Sequence, residues 1–419
     1  MGSPVQIVAA TNDNYAIRAT QVYVDGGKMF QAATTSLNAS VPMAAGEHRL
    51  TVQAIDAANR LFKQTIYVHV GAATSDPASN PVRASTGSSY QTNLNATSNW
   101  IAANSIAPSG AILYGSSQIN PYYSNIAAIG MTKDPARYGN VKNWMQWYLN
   151  HLNWPDKWGL YGTTYDYNVN GSAETATGNA DSTDSYAATF LSLAWAYYRT
   201  GDAGAQAFVK TLSYQVESIA GVLIATQDTD GLTWAKPDYH IKYLMDNSEA
   251  YRGLRDVASL FQNAYGDSAK AAYFNARADM MLNGIRGMWL GGGAYGVYKD
   301  ALGRLARPNW GVWYPDATSQ VFPVLMGAIT ATDPHAAQVY SAFNAHWPAW
   351  QNLSFQAQDP FPWVLVADAA ALMGDTNRVG AYMSAVQNKY VNQGFPWAWY
   401  SAEAGWYMRL NSYLMGRGF

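Results

Sequence analysis

The sequence predicts a mainly α protein: six pairs of helices arranged as an inner and an outer ring, preceded by a small all-β module. Three observations predict it. Apolar residues alternate, or are β-branched, over roughly the first 70 positions and recur with helical spacing from about residue 92. Short Gly-Asp and Asp-Pro turns punctuate the helical part. Between those turns, short connections alternate with long ones, as in a series of helical hairpins.

The β module spans 1–72. VQIVAAT, IRATQVYVD, HRLTVQAID and FKQTIYVHV read as strands, with DGG and AAGEH as turns, and strands at this spacing suggest a small β-sandwich. The pattern QVYVDGG…AAGEHRLTVQAID…YVHV resembles the bacterial immunoglobulin-like modules attached to secreted enzymes, a resemblance of fold that carries no catalytic residue with it. The segment AATSDPASNPVRASTGSS is rich in Ser, Ala, Pro and Gly, and a linker is expected over 73–91.

The helical domain is expected over 92–419. YYRTGDAGA, QNAYGDSAK and ALMGDTNRV each end one helix with Gly and cap the next with Asp; MTKDPARY and ITATDPHAA do the same with Asp-Pro. These five turns give the pairs 96–107 with 121–132, 136–152 with 183–199, 203–225 with 247–264, 267–289 with 316–330, 334–348 with 360–373, and 376–392 with 403–416. The later members (AATFLSLAWAYY, ATSQVFPVLMGAI, WVLVADAAALMG) are the more apolar and fit an inner ring. This organisation, with local patterns such as DSTDSYAATF and YLMDNSEAY, resembles the (α/α)6 barrel of many glycoside hydrolases and some polysaccharide lyases. The resemblance implies that every inner helix starts at one end of the barrel, surrounded by the long loops, where a working site is expected.

Carboxylates recur at those inner-helix starts: Asp181 and Asp184, Asp246 and Glu249, Asp316, Asp359 and Glu403. Helix N-termini favour negative charge, and Asp246-x-x-Glu249 has the spacing of a capping box, so capping accounts for part of this. Glycoside hydrolysis needs one protonated carboxyl group to give its proton to the leaving oxygen and one ionised group to activate water or attack the sugar. Asp184, Asp246, Glu249 and Asp316 are the catalytic candidates. Glu249 is the expected acid because its longer side chain reaches further, with Asp184 as the alternative; Asp316 or Asp184 is the expected base. Asp246 reads equally as a cap or a substrate-binding group.

All 16 tryptophans lie at or after residue 100. A flat ring covers the C–H face of a pyranose as well as it fills a core. Trp158, Trp310, Trp313 and Trp399 are the leading sugar-binding candidates, joined by Tyr122, Asp181, Trp234, Tyr239, His240, Tyr251, Trp363 and Glu403.

Other chemistry is poorly represented. A net charge of −2, with 13% charged residues, disfavours nucleic-acid binding. Thiolate metal sites and disulfides are excluded by the absence of cysteine, and no apolar run reaches membrane-spanning length. GxSxG and HExxH are missing. QDTDG is like a fragment of a calcium loop without its remaining ligands, so neither a metal nor a cofactor is expected. GGGAYG lacks the P-loop lysine and reads as a hairpin turn, and His335 and His346 fall on an outer helix. Met1-Gly2-Ser3 reads as a cloning remnant, and a secreted or periplasmic protein stripped of its signal peptide is expected. The expected activity is hydrolysis of a poly- or oligosaccharide. The rivals are a lyase using Tyr239, His240, Lys242 and Arg252, and a non-catalytic glycan binder that keeps the aromatics but tolerates loss of the carboxylates.

Overall fold

The computed structural model describes residues 4–11, 13, 15–44, 46–70 and 82–419. The chain divides into two compact units, 1–82 and 83–419.

The first unit holds two antiparallel sheets. Strand β1 (Val5–Ala10) pairs with β4 (Ser36–Val41); β2 (Ile17–Val24), β3 (Gly27–Ala32), β5 (Gly46–Asp56) and β6 (Leu61–Val70) form a second sheet in the order β3-β2-β5-β6. Alternation puts Val5, Ile7, Val22, Leu37, Ala39, Val41, Leu50 and Val68 into one shared core, so the unit is a small sandwich.

The second unit is an (α/α)6 barrel. Its inner ring comprises α2 (Pro121–Met131), α4 (Thr183–Tyr198), α7 (Leu244–Asn263), the region of the short α9 (Phe322–Leu325), α11 (Val364–Leu372) and α13 (Ser401–Leu414). Each packs on the next, and α13 packs on α2, which closes the ring. Around it lie α1 (Val82–Asn104), α3 (Tyr138–Asn150), α5 (Ala203–Lys210) with α6 (Ser213–Thr226), α8 (Ser268–Arg286), α10 (Pro334–His346) and α12 (Thr376–Lys389). Small residues permit the closure: a Cβ on Gly130 of α2 would run into the backbone of Gly405 of α13, and one on Gly253 of α7 would sit 2.7 Å from Ala188 Cα of α4.

The five short turns form as their residues require. Gly201, Gly266 and Gly374 adopt positive φ. Asp202, Asp267 and Asp375 accept from the N–H groups of Ala205, Lys270 and Arg378, and Asp134 and Asp333 cap the Asp-Pro starts. GGGAYG turns a hairpin between Trp289–Gly291 and Ala294–Tyr295. His335 stacks on Trp289 and His346 on Trp310, both in packing roles.

Three expectations need correction. The linker expected over 73–91 gives way to helix at Val82; residues 73–81 lie outside the described residues. Helix α1 is masked in sequence because Ser, Thr, Asn and Gly dominate it, while only a few positions such as Leu94 and Ile101 supply apolar burial. The outer helix expected over 203–225 is two helices, α5 and α6. The inner helix expected over 316–330 is broken into a wide turn at Trp313–Ala317 and the one-turn α9, since Pro315 and Pro323 cannot donate and Gly327 takes positive φ.

Candidate active site

The starts of the inner helices converge on a cavity of about 190 Å3. Tyr122 and Tyr123 enter it from α2, Ser182, Ser185 and Tyr186 from the start of α4, and Asp246 and Glu249 from α7. Tyr314 and Phe322 face it from the broken fourth member, and Asp359, Phe361 and Trp363 from the approach to α11. Tyr400, Glu403 and Trp406 complete the wall from α13, and Asp181 stands at the start of α4. The rings brace one another: Tyr123 and Phe361 pack edgewise on Tyr400, and Tyr314 leans on Trp363.

Helix α7 does not start at a capping box. It begins at Leu244, and its N-cap, Tyr243, makes no side-chain cap bond. Asp246 therefore lies in the first turn, with Glu249 one turn deeper, and both carboxyl groups point to partners on other helices. Asp246 Oδ2 lies 3.1 Å from Ser182 Oγ. The same hydroxyl lies 2.7 Å from Oδ1 of Asp184, which is fully buried and also accepts from Ser185 N (2.8 Å) and Thr233 Oγ1 (2.6 Å). A serine hydroxyl has one proton. We assign it to Asp184, the nearer partner, so the Asp246–Ser182 contact needs a proton on Asp246. Burial supports this order. It lifts Asp246 well above the ordinary carboxyl range, and the nearby Asp184 and Glu249 add to the effect. Asp184 rises only to about 6, since burial is opposed by its hydrogen bonds from Thr233, Ser182 and Ser185.

Glu249 is 3% exposed, and its Oε1 accepts from Tyr122 Oη at 2.5 Å. Burial pushes it up to about 8 against that hydrogen bond, so it is largely neutral at pH 7. Across the ring, Glu403 Oε1 accepts from Trp363 N (3.0 Å) and Oε2 from Val364 N (2.8 Å). Burial raises Glu403 to about 7, and the two N–H donors hold it back from rising further. These bonds also fix Trp363 in the left-handed region at φ 54°, a costly conformation for a tryptophan. Tyr186 Oη donates to Asp166 (2.7 Å) and accepts from Asn120 Nδ2 (2.8 Å), tying the loop before α4 to the start of α2.

Of the candidate residues, the structure brings Tyr122, Asp181, Asp246, Glu249, Trp363 and Glu403 to one cavity, with Asp184 behind them. It does not bring Asp316 there: the Asp316 carboxylate accepts from Asn309 N at 2.6 Å, a local turn bond. Trp313 is sealed in the core against Phe355, 4.0 Å away and parallel to it, and Trp399 is packed among Tyr390, Phe395 and Tyr407. Tyr251 is buried on α7 under Arg255. Trp310 stacks on His346, and Trp158 lies beneath Lys157. Trp234 packs against His240 and Lys242, Tyr239 bonds Tyr243, and His240 Nε2 bonds Pro237 O. None of these lines the cavity. The reason is physical: loops rich in aromatics cover one another, so a ring in a loop has protein partners ready to hand. The cavity takes most of its rings from the first turns of the inner helices and the residues just before them. Sequence reading does not single out Tyr123, Phe361 or Trp406, although YY after Asn120-Pro121 and FPW before α11 occupy such positions. Asp228 and Asp230 of QDTDG are engaged by Lys242 (2.7 Å to each), and Asp230 also by Lys299 (2.8 Å).

No protein-family model and no curated protein sequence matches the chain. Solved structures do. A wild-type glycosidase is similar at 13% identity and a TM-score of 0.57, with 82% of this chain and 100% of that one covered. A GH63 mannosylglycerate hydrolase from Thermus thermophilus, in complex with glucose, is similar at 12% identity and 0.52, covering 76% and 98%. A GH76 α-mannanase from Bacteroides thetaiotaomicron gives 12% identity and 0.50, covering 78% and 96%. At such identities the likeness is one of fold: the helical unit has the (α/α)6 barrel of these glycosidases.

Proposed function

We propose that the protein is a glycoside hydrolase that removes single sugar residues from chain ends, with Asp246 as general acid and Glu403 as base. One observation carries the reading: protonatable carboxyl groups from the third and sixth members of a six-membered ring line one small cavity. Third and sixth members stand opposite each other, so the two groups approach a bound sugar from opposite sides, as protonation of the leaving oxygen and activation of water require. Asp246 suits the acid. Burial and its acidic neighbours favour its protonated form, it is only half-buried, and its one hydrogen-bond partner among the described residues is Ser182, 3.1 Å from Oδ2, a contact its proton can exchange for one to a leaving oxygen. Glu249 is more deeply buried and committed to Tyr122; it serves as a neutral floor. Glu403 suits the base, because both its hydrogen bonds come from N–H donors that favour the anion.

The cavity volume favours a single ring. About 190 Å3 lies below the roughly 300–1,000 Å3 of sites for drug-sized ligands. The lyase reading loses support because Lys242 is bound by two aspartates and neither Tyr239 nor His240 reaches the cavity. A secreted or periplasmic location, where extended glycans are met, belongs to the same proposal; cell fractionation tests it. For the activity, the test is incubation with a panel of oligo- and polysaccharides, followed by product sizing. Monosaccharide released by the wild type, and lost in Asp246→Asn and Glu403→Gln variants that keep native circular dichroism, is the expected result. Ultraviolet-absorbing unsaturated products would indicate a lyase, and glycan binding with no product would indicate a non-catalytic protein.

A further inference from the structure

The inner helices finish around a second cavity of about 590 Å3, at the other end of the barrel. This volume falls within the range of roughly 300–1,000 Å3 typical of small-molecule sites. Five cations line it: Lys133 just after α2, Arg199 at the end of α4, Arg252 on α7, and Arg409 and Arg417 on or after α13. Its carboxyl groups are Asp256 and the neutral Glu249. Arg252 is paired with Asp256 at 2.8 Å, and Arg417 donates to Gln91 at 2.6 Å. The other three have no side-chain acceptor among the described residues. Among the described residues, Lys133, Arg199 and Arg409 make no side-chain hydrogen bond or ion pair; Arg199 lies over Trp195, and Arg409 over Trp406 and Phe419. Arg409 Nε is buried and unbonded, and both oxygens of the nearby buried Asp368 are unbonded as well. The cations are near enough to disturb one another: burial, with Arg409, Arg199 and Arg252, lowers Lys133 to about 8.

Helix C-termini favour cations, and that accounts for the sign of the charge here. It does not account for a cluster in which, among the described residues, Arg409 Nε is buried without a partner while Lys133 and Arg199 reach the same cavity with no protein acceptor, leaving solvent or a bound anion to satisfy them. We propose that this cavity binds a small phosphate dianion, free or esterified to a sugar, held by Lys133, Arg199 and Arg409. A guanidinium offers a planar fork to two phosphate oxygens, and an ammonium adds a point charge. Cations gathered in a low-dielectric cleft also raise the local concentration of anions.

The test is the melting temperature of the full chain in inorganic phosphate, in glucose 6-phosphate, and in chloride at equal ionic strength. A ligand that binds only the folded state raises the melting point. We expect a rise of at least about 2 °C over chloride, consistent with ordinary ligand stabilisation of a domain this size, and its loss in Lys133→Met and in Arg199→Met. Arg199 is exposed, so its variant keeps the test open if Lys133→Met does not fold. A larger rise in glucose 6-phosphate than in phosphate assigns the sugar ester; equal rises assign the free ion. The proposal is overturned if wild type melts alike in all three solutions, or if a phosphate-dependent rise persists in Arg199→Met.

Discussion

The two ends of the barrel are built from the same helices and carry opposite charge. Where the inner helices start, carboxyl groups gather; where they finish, lysine and arginine gather. The helix dipole predicts both signs. It does not predict how each end copes with burial. A carboxyl group in a poorly solvated place can take up a proton, and burial pushes both Asp246 and Glu249 in that direction. An arginine cannot shed its charge, so Arg409 needs a counter-anion or solvent. Crowded carboxyls therefore become a store of protons beside a cavity, which is the equipment of acid catalysis. Crowded guanidiniums become a demand for an anion.

The contrast is broken or sharpened by variants at each end. The largest effect is expected for Asp246→Asn: general acid–base catalysis contributes about 10²–10⁴-fold, and a loss of that order with folding intact is predicted. Lys133→Met, at the other end, is predicted to leave turnover unchanged; equal losses from both variants would mean that the ends are not functionally separate. Next comes Trp313→Ala. As a buried tryptophan stacked on Phe355, it is predicted to destabilise by about 3–5 kcal/mol in denaturant melts. If stability is kept and only sugar binding weakens, Trp313 belongs to the cavity after all.

A smaller effect concerns pH. Glu249 titrates near 4.5 when unperturbed and near 8 in the fold, so the folded state holds its proton more tightly. Its contribution to stability is present below about pH 4.5 and lost as pH rises through about 8. Melting temperature is predicted to fall over that interval, and less steeply in Glu249→Gln; parallel curves for the two proteins would show that Glu249 does not hold a proton there. The smallest effect is expected for Trp158→Ala: the ring is half-buried under Lys157 and lies outside the cavity, so a loss of about 1 kcal/mol of stability and an unchanged KM are predicted.

Much of this was legible in the sequence. Gly-Asp and Asp-Pro turns have local physical causes, so the helix pairs could be counted from them. The convergence of Asp246, Glu249 and Glu403 followed from the pairing, since each sits at the start of a later member. Three things were not legible. Helix α1 hides in a polar composition that reads as linker. Whether a tryptophan is covered depends on chain segments far away, which is why Trp313 and Trp399 read as loop platforms but are core. The ranking of the carboxyls depends on Ser182 and Tyr122, partners 64 and 127 residues from the groups they touch. Side-chain length favoured Glu249 as acid; the proposal for Asp246 rests instead on its contact with Ser182 and on the commitment of Glu249 to Tyr122.

The most direct measurement compares Asp246→Asn and Glu403→Gln on two substrates with the same sugar, one carrying a sugar leaving group and the other dinitrophenolate. A dinitrophenolate needs no proton to depart. Loss of the general acid is therefore predicted to cost Asp246→Asn about 10²–10⁴-fold on the sugar-linked substrate and far less on the aryl glycoside. Glu403→Gln is predicted to lose a comparable factor on both. Equal losses for Asp246→Asn on the two substrates, or the selective pattern appearing in Glu403→Gln instead, would contradict the assignment of acid and base across the ring.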